Sequence, residues 1–323
     1  MRIVVTGALG HIGSRLIRDL PAVFQEAEII LLDNLATQRY CSLFNLPTHG
    51  KYRFLEADMM TCDLDSIFTG ADVVIHLAAL TNAPESFRMQ EQVERINVEG
   101  TERVAQACLA RECALIFAST TSVYGKSSGR VAEDCPPSDL KPQSPYADSK
   151  LKAERCLQRE GEREGLHFMI CRFGTVFGAS PGMRFHTAVN KFCWQAALGQ
   201  PISVWRTALD QLRPYLELGD AVRAVEFIMR ENLFDGRIYN VLTTHATVRH
   251  LLEILSNLIP DLSVEYGEGE GMNEISCEVS NERFRSLGFE FHGELKRGIA
   301  EIVDLLRFAY QPNAFSSGIP TKS

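Results

Sequence analysis

The chain lacks the features that mark several large classes of protein. None of its apolar stretches approaches the roughly 20 residues that a membrane-spanning helix needs. Its nine cysteines are scattered without a C-x-x-C pair, which favours reduced thiols in a cytoplasm over a disulfide framework. The order of Ser, His and Asp along the chain does not indicate the catalytic triad of a hydrolase. No cluster of His, Cys and Asp has the spacing of metal ligands, so we expect no metal ion.

The chain also has fewer basic than acidic residues. The 323 residues include 33 Lys and Arg against 41 Asp and Glu, a formal net charge of −8. This balance argues against a nucleic-acid partner and against an anionic membrane surface. The first predicted strand begins almost at Met1, so we expect no signal peptide and a cytoplasmic location.

The most informative segment that is present is the N-terminus. An apolar run at residues 3–5 meets Gly7, Gly10 and Gly13, an amphipathic stretch follows, and a second apolar run ends at Asp33. The order strand, glycine turn, helix, strand and acid predicts a dinucleotide site, because glycine lets the backbone approach a pyrophosphate at the helix N-terminus. Asp33 would accept hydrogen bonds from both ribose hydroxyls and repel a 2′-phosphate, which favours NAD over NADP.

Strand and helix patterns alternate along the first half of the chain, and the strands are continuously apolar. This predicts an α/β fold, a doubly wound parallel sheet of the Rossmann type, with a smaller mixed C-terminal substrate lobe. Residues 90–112 read as one helix and 168–178 as one strand. The predicted NAD-binding domain covers 1–178 with 218–242 returning to it, the substrate lobe covers 179–217 and 243–311, and 312–323 form a mobile tail.

Ligands of such a sheet bind beyond the carboxyl ends of its strands, and the residues there are the candidate cofactor ligands. His11 lies inside the glycine turn without an assigned chemical role, and Asp58 has two open interpretations, contact with the adenine amino group or a strand-end cap. The candidates in this set are Gly7, Gly10, His11, Ile12, Gly13, Asp33, Asn34, Asp58, Leu77, Ala78 and Ala79.

A tyrosine and a lysine are spaced four residues apart at Tyr146 and Lys150. On a helix these positions share one face, so the phenol and the ammonium project together. A nearby cation favours the phenolate, which moves a tyrosine with an ordinary pKa of about 10 toward a general base at neutral pH. Lys150 also has the reach to hold the nicotinamide ribose.

The motifs together resemble the extended short-chain dehydrogenase/reductases, and more narrowly the NAD-dependent nucleotide-sugar epimerase/dehydratase group. The resemblance runs from Met1 to about residue 310 and is carried by G-x-x-G-x-x-G, Asp33, H-L-A-A, S-T-T-S-V-Y-G and Y-x-x-x-K. It implies that Tyr146 takes the proton of a sugar hydroxyl, usually at C4, while Thr120 binds the same oxygen. Lys150 would lower the pKa of the tyrosine, hydride would pass to the nicotinamide of NAD, and Asn97 would support the helix near the tyrosine.

Two departures from the family pattern narrow this interpretation. Dehydratases of the family have Asp-Glu directly after the catalytic threonine, whereas this chain has Thr121 and Ser122. A 4,6-dehydratase of that type is therefore disfavoured. The usual R-x-x-N after the sixth strand reads R-F-G-T, so Thr175 stands in place of an asparagine that contacts the substrate pyrophosphate.

The predicted substrate lobe is locally basic. Residues 181–214 contain Arg184, Lys191, Arg206 and Arg213 but only one acid, Asp210. Arginine offers bidentate donors to a diphosphate. The resemblance assigns phosphate contact to Arg213 and a lobe-anchoring role to Asp220. The role of Arg184 stays open between a ligand and a surface ion pair. The candidate substrate ligands are Thr81, Thr121, Thr175, Arg184, Asn190 and Arg213.

Some side chains of this lobe have two open interpretations. His186 is either an acid or base facing the sugar or a histidine at the surface or core edge. Phe185 or Trp205 either packs against a nucleotide base or belongs to the core. The S-P-G-M-R-F-H segment resembles a subgroup that acts on nucleotide sugars.

Three functions remain open from the sequence. The first is a nucleotide-sugar 4-epimerase that retains NAD. The second is a 4-dehydrogenase that releases a keto sugar. The third, from a different class, is a non-catalytic NAD-binding sensor or scaffold. The resemblance also implies a homodimer built on helices at 90–112 and 145–163. The apolar stripe of the first of these helices is suited equally to a partner or to its own sheet.

Overall fold

A computed structural model describes residues 1–268 and 276–309 of the chain. The sequence predicts a mobile tail at 312–323 and a glycine-rich loop at 267–273; the tail and residues 269–273 of the loop lie outside the described residues. No helix in the described part of the chain combines the length and the apolar character needed to cross a bilayer.

The strands and helices alternate through the first half, as their apolar periodicity predicts. In chain order the strands β1–β14 are Arg2–Thr6, Glu28–Asp33, Lys51–Glu56, Val73–His76, Ala114–Thr120, Lys126–Val131, Phe168–Phe173, Thr175–Phe177, Ile202–Trp205, Arg213–Glu217, Ile238–Val241, Thr244–Ala246, Val264–Gly267 and Ser276–Val279. The helices α1–α11 are His11–Val23, Leu64–Phe68, Ala83–Ser86, Gln90–Glu94, Gly100–Ala110, Pro145–Glu164, Ala188–Ala197, Leu218–Arg230, Val248–Leu258, Glu282–Arg285 and Leu295–Leu306.

Seven strands form the main sheet, in the order β11-β7-β5-β4-β1-β2-β3. Every pairing in it is parallel, which confirms the predicted Rossmann-type sheet. Strands β2 and β3 lie on one side of β1, and β4 and the later strands lie on its other side, so the strand order switches between β1 and β4. At such a switch point a crevice opens at the carboxyl edge of the sheet, where ligands bind.

Alternate side chains of each strand enter two separate cores, one on each face. Val5 of β1 packs with Leu16 of α1 and Val225 of α8 on one face. Val4 packs with Val104 of α5 and Leu157 of α6 on the other. Burial on both faces explains why the strands are continuously apolar rather than alternating.

The second lobe is smaller and mixed, as predicted. In its three-stranded sheet β10 runs parallel to β8 and antiparallel to β12, and β9 pairs with β13 in a two-stranded sheet. A third core lies between these strands and α7, α9 and α11. Asp220 ties this lobe to the main sheet, because its carboxylate accepts hydrogen bonds from Thr243 Oγ1 at 2.6 Å and from the amides of His292 and Gly293, each at 2.9 Å.

The prediction of one strand over 168–178 is wrong. The segment divides at Gly174 into β7, which belongs to the main sheet, and β8, which belongs to the sheet of the second lobe. A Cβ on Gly174 would lie 3.1 Å from the carbonyl carbon of Tyr215, so the small residue lets two backbones approach where the chain crosses between sheets.

The single helix predicted at 90–112 is interrupted. A π-helical turn, Arg95–Glu99, stands between α4 and α5, and such turns insert one extra residue into a helix. The part of the apolar stripe on α5 packs against its own sheet, since Val104 and Cys108 belong to the core on that face. Val93, Val104 and Cys108 are at most 2% exposed within the chain itself, so these three side chains are not free to contact a partner.

Candidate active site

A cavity of about 400 Å³ opens at the carboxyl edge of the main sheet, beside the switch point. All but two of the candidate ligands predicted from the sequence line it. The lining members of that set are Gly7, Gly10, His11, Ile12, Gly13, Asp33, Asn34, Asp58, Leu77, Ala78, Ala79, Thr81, Thr120, Tyr146, Lys150, Thr175, Arg184 and Arg213. The glycine turn and the Tyr146–Lys150 pair thus share one cavity although they are far apart in sequence.

The glycine turn has no room for side chains. A Cβ on Gly7 would lie 2.7 Å from the amide nitrogen of Ala78, and one on Gly13 would lie 2.5 Å from the carbonyl oxygen of Gly7. Gly7 also has a φ of +67°, a conformation that favours glycine. Helix α1 begins directly after Gly10, so its positive end faces the cavity. These features fit the pyrophosphate of a dinucleotide.

Two carboxylates line the cavity beyond β2 and β3. Asp33 accepts hydrogen bonds from the amides of Leu9 at 3.0 Å and Leu35 at 2.9 Å. Asp58 accepts one from the amide of Met60 at 2.8 Å and one from Asn34 Nδ2 at 3.3 Å. Asp58 therefore caps its own turn and also faces the cavity, so its two interpretations are compatible.

Tyr146 projects into the cavity from the first turn of α6. The helix begins there because Ser144 caps it, accepting a hydrogen bond from the amide of Ala147 at 3.2 Å, and because Pro145 fits the first helical position. Thr120 ends β5, and its Oγ1 lies 3.1 Å from Ser122 Oγ. Helix and strand thus bring the phenol and the hydroxyl into the same part of the cavity.

The structure brings a second cation, Arg184, to the phenol of Tyr146. Burial raises the pKa of Tyr146, and the main opposing influence is the positive charge of Arg184, followed by a hydrogen bond with Thr120. The second lobe therefore supplies a positive charge that favours the phenolate.

Lys150 is held away from solvent and is only 2% exposed. Its Nζ donates a hydrogen bond to the carbonyl oxygen of Ala118 at 2.8 Å and lies 4.5 Å from the centre of the Phe117 ring. Burial lowers the pKa of Lys150 to about 7, and the carboxylate of Glu154 opposes that shift. Its charge at neutral pH thus depends on a residue one helical turn further along α6.

Glu154 belongs to a buried polar network that sequence reasoning missed. Its two oxygens accept hydrogen bonds from Arg172 Nε at 2.9 Å and Nη2 at 2.6 Å, and it also binds Ser119. Arg172 Nη1 donates to the Tyr124 hydroxyl at 2.8 Å, which donates to Asn240 at 2.9 Å. The network joins α6 to the ends of β5, β7 and β11 behind the cavity.

Asn97 has the supporting position that the resemblance implies for it. Its Nδ2 donates to Ser149 Oγ at 2.9 Å, and its Oδ1 accepts from the amide of Leu80 at 2.8 Å. Ser149 lies between Tyr146 and Lys150 on α6. The π-helical turn that contains Asn97 therefore holds the helix of the tyrosine against the loop after β4.

The basic wall of the cavity comes from the second lobe. Arg184 Nη1 donates to Thr81 Oγ1 at 2.8 Å, while its Nε is buried without a hydrogen-bond partner among the described residues. This orphaned donor indicates that the site fits an anionic or polar ligand. Thr175 and Arg213 line the same wall.

Two predicted substrate ligands do not line this cavity. Thr121 is buried and donates to the carbonyl oxygen of Phe173 at 3.3 Å. Asn190 is fully buried, where it accepts from the amide of Gly178 at 3.3 Å and donates to the carbonyl oxygen of Arg184 at 2.9 Å. Both side chains are used inside the protein, and Asn190 fixes the backbone that carries Arg184.

The segment 178–184 lies directly on the glycine turn, and we call it the strap. His11 Nε2 lies 2.8 Å from the carbonyl oxygen of Gly178, and the amide of Gly182 donates to Ser14 Oγ at 2.9 Å. Burial, together with Arg184, lowers the pKa of His11 to about 3, so its imidazole is neutral and structural. The strap carries Arg184 into the cavity.

Several cavity residues escaped the sequence analysis or were left open there. His186 lines the cavity, where desolvation and Arg184 lower its pKa to about 4, so it is neutral at pH 7. Arg39, Ser122 and Tyr215 also line it. The sequence feature that could have identified two of them is closeness to a motif residue: Arg39 follows Asp33 by six positions, and Tyr215 follows Arg213 by two.

The two aromatic candidates for base contact do not line this cavity. Phe185 packs on Trp194 with ring centres 4.8 Å apart. Trp205 is 48% exposed and lies against Gly267 of the neighbouring strand, where an added Cβ would come within 2.9 Å of the indole ring.

Known proteins share this sequence pattern and fold. A family model described as the NAD dependent epimerase/dehydratase family matches residues 3–241. An uncharacterized UDP-glucose epimerase of Bacillus subtilis, YtcB, is 28% identical over 96% of this chain and 99% of that protein. The dTDP-D-glucose 4,6-dehydratase of Bos taurus is 29% identical over 95% of this chain and 88% of that protein. The crystal structure of the Thermus thermophilus UDP-glucose 4-epimerase with NAD superposes with a TM-score of 0.82, at 27% identity, over 96% of this chain and all of that chain.

Proposed function

Because the chain belongs to the NAD dependent epimerase/dehydratase family, we propose that it oxidises a nucleotide-linked sugar at C4 and acts as a nucleotide-sugar 4-epimerase. The observation that carries the proposal is that Thr120, Tyr146 and Lys150 line the same cavity as the glycine turn. A proton acceptor for a sugar hydroxyl thereby lies beside the site that fits a dinucleotide. UDP-linked sugars are the first candidates, since relatives named for UDP-glucose match nearly the whole chain.

Each step needs a residue that the cavity supplies. When bound, NAD supplies the hydride acceptor. Tyr146 accepts the proton of the C4 hydroxyl, and Thr120 binds the same oxygen. Tyr146 must first lose its own proton to solvent, and Arg184 favours the resulting phenolate by its positive charge, which can then accept the hydroxyl proton. Lys150 holds the ribose of the cofactor and adds positive charge when it is protonated. In the proposed epimerisation the keto sugar would turn over, the bound cofactor would supply hydride to its opposite face, and Tyr146 would give the proton back.

The charges in the cavity argue against a 4,6-dehydratase. That reaction needs an acid for the departing hydroxyl and a base for the C5 proton. Among the described residues that line the cavity, the carboxylates are Asp33 and Asp58, and both lie at the ends of strands on the far side of the switch point from Tyr146. Ser122 lines the cavity in one of the two positions where the dehydratases have acids, and it cannot replace them.

The position of the strap supports an epimerase, which retains its cofactor, over a dehydrogenase that exchanges it. It covers the glycine turn through Ser14 and Gly182, so a dinucleotide placed there would have to pass it to leave. Retained NAD is what an epimerase needs, because the same cofactor returns the hydride. The third alternative, a sensor without catalysis, gains no support from a cavity that contains the Thr120, Tyr146 and Lys150 set.

The decisive experiment incubates the purified protein with UDP-, dTDP-, GDP- and CDP-linked sugars. NMR would follow the configuration at C4, and absorbance would follow NADH. We expect the 4-epimer of one UDP-sugar to form without accumulated NADH, and the matched variant Tyr146→Phe to bind NAD but lose turnover. A keto product with stoichiometric NADH would instead establish the dehydrogenase, and no conversion of any sugar would establish the sensor.

We propose in addition that the protein is a homodimer in the cytoplasm, as the family resemblance implies. The outward faces of α4 and α6 carry exposed charges, including Lys152 and Glu94 with Nζ and Oε1 3.0 Å apart. Light scattering of the full chain would measure the oligomeric state, and a monomer at all concentrations would contradict the proposal.

A further inference from the structure

Arg39 is a cation on the cavity wall whose guanidinium has no hydrogen bond or ion pair with any residue in 1–268 or 276–309. The exposed arginines of the chain mostly have carboxylate partners, as Arg249 has Asp210 at 2.8 Å. An arginine that lies half-buried in a ligand cavity without an anion is therefore a candidate ligand-binding group.

The position of the guanidinium defines which part of a ligand it meets. Arg39 Nη1 lies 3.8 Å from the point that a Cβ on Gly10 would occupy. Gly10 is the residue from which α1 starts. The first turn of the helix, His11, Ile12 and Gly13, contains no acidic residue. A fixed positive charge and the positive end of a helix thus face the same point of the cavity.

The loop that carries Arg39 is held in place before any ligand binds. Arg18 donates to the carbonyl oxygen of Ser42 at 2.9 Å, and Ser42 Oγ donates to the carbonyl oxygen of Leu9 in the glycine turn at 2.8 Å. Cys41 Sγ donates to the carbonyl oxygen of Pro181 in the strap at 3.2 Å. The backbone next to Arg39 is thus held in place before a ligand binds, which reduces the entropy lost when the guanidinium engages a ligand.

Other charges near Arg39 leave an excess of positive charge in this part of the cavity. The carboxylate of Asp33 attracts Arg39, but Asp33 is already hydrogen-bonded to two backbone amides. From the strap, Arg184 is close enough for Arg39 to lower its pKa. The cavity is therefore lined by two guanidinium groups, one from each lobe, with Asp33 as a nearby carboxylate, a balance of charge that suits an anionic ligand.

We infer that Arg39 binds the pyrophosphate of the dinucleotide and slows release of the cofactor. The alternative contact, a 2′-phosphate on the adenosine ribose, is disfavoured because Asp33 lies where that ribose is expected and would repel a phosphate. The inference concerns the cofactor and not the sugar, so it can be tested whether or not the proposed epimerisation is found.

The test is Arg39→Gln, with Arg39→Lys as the variant that keeps the charge and Arg53→Gln as the control. Arg53 is exposed on β3 and does not line the cavity, so its change removes the same net charge elsewhere. Exchange of bound NAD for fluorescent etheno-NAD gives the release rate. Competition by ADP and by adenosine gives two affinities that differ only in the pyrophosphate.

Loss of a charge-assisted contact predicts that Arg39→Gln weakens NAD and ADP about 10- to 100-fold. It should leave adenosine unchanged, and Arg39→Lys should fall between the variant and the wild type. Arg53→Gln should behave as wild type. Unchanged NAD and ADP affinity in a folded Arg39→Gln protein would overturn the inference. So would a loss confined to NADP or to adenosine 2′-monophosphate, which would assign the arginine to a 2′-phosphate. If Arg39→Gln does not fold, the same comparison of ADP with adenosine on Arg39→Lys decides between these outcomes.

Discussion

Glu154 Oε2 lies 2.6 Å from Arg172 Nη2, with both side chains at most 2% exposed, one helical turn beyond Lys150. A buried pair of this kind gains little over an apolar pair of the same size, yet removing one partner alone costs about 3–5 kcal/mol. The role of the Glu154–Arg172 pair therefore lies in its effect on the neighbouring Lys150 more than in stability. Glu154 is the charge that opposes the fall in the pKa of Lys150.

The first prediction concerns Glu154→Gln. Without the carboxylate, burial lowers the pKa of Lys150 further below about 7, so the ammonium loses its proton at a lower pH. If turnover needs the ammonium, the alkaline limb of the kcat profile moves to lower pH by about one unit or more. Assays of kcat between about pH 6 and 9 would measure this shift, since that range spans the ordinary titration of such groups.

Two variants separate charge from structure in that experiment. Ser119→Ala removes a hydrogen bond to the same carboxylate but keeps its charge, so the profile should stay in place. Glu154→Asp keeps the charge on a shorter side chain and should do the same at lower kcat. A Glu154→Gln protein that is folded and has the wild-type pH profile would contradict the assigned role.

The second prediction concerns Lys150→Met and stability. The pKa of Lys150 is lower in the folded protein, about 7, than the 10.4 or so of an unfolded chain. Between these values the Lys150 side chain binds more protons in the unfolded chain, so its own contribution to the free energy of unfolding should rise with pH. Urea unfolding of NAD-free wild type and of Lys150→Met from about pH 7 to 10 would measure this contribution as the difference between the two proteins.

Lys150→Met removes the cost of burying an ammonium. We expect the variant to be more stable than the wild type at pH 7 by about 1 kcal/mol or more, with an advantage that shrinks toward pH 10, and to lack turnover. A variant less stable than wild type at pH 7 would show instead that the hydrogen bond to Ala118 and the contact with Phe117 matter more than desolvation.

The third prediction concerns the strap. A Cβ on Gly182 would lie 2.2 Å from the carbonyl oxygen of Leu9 and 2.6 Å from that of Gly10. Both are backbone atoms of the glycine turn and cannot rotate away. Gly182→Ala should therefore lift the strap, destabilise the protein by about 1–3 kcal/mol, and speed NAD release.

Gly288→Ala is the control, since no atom lies within 4 Å of a Cβ there; its φ of +99° adds local strain far from the cavity. It should lower the melting temperature without changing the NAD release rate. Equal release rates for the two variants would show that the strap does not restrain the cofactor.

The fourth prediction concerns Asn97→Ala. The change leaves the amide of Leu80 without the Oδ1 acceptor at 2.8 Å and Ser149 without the Nδ2 donor at 2.9 Å. We expect a loss of about 1–3 kcal/mol in unfolding free energy for the orphaned groups. We also expect kcat to fall more than NAD affinity, since α6 carries the tyrosine. A fall in stability with unchanged kcat would limit Asn97 to a structural role.

Much of the architecture could be predicted from the sequence because it rests on local patterns. Continuous apolar runs mark strands buried on both faces, Ser144 and Pro145 mark the start of α6, and three glycines mark the turn before α1. The errors at 90–112 and 168–178 have a common cause. A π-helical turn and a change of sheet both depend on what the neighbouring elements require, and neither alters the local apolar periodicity.

The candidate site, too, was predictable from the sequence only in part. Motif spacing found Thr120, Tyr146 and Lys150, but not the charges that act on them. The cation that favours the phenolate of Tyr146 is Arg184, which lies 38 positions away. The anion that supports Lys150 is Glu154 of the same helix, and it is held by Arg172 of β7. Asn190 has the right chemistry for a ligand but is used inside the protein.

The sequence by itself determined the order of strands and helices, the glycine turn and the phenol–ammonium spacing, since these depend on residues within a few turns of one another. The tertiary structure alone decided which charges meet across the cavity and which polar groups are left without partners. Electrostatic effects act through space and depend on burial, and neither distance nor burial can be read from positions along the chain.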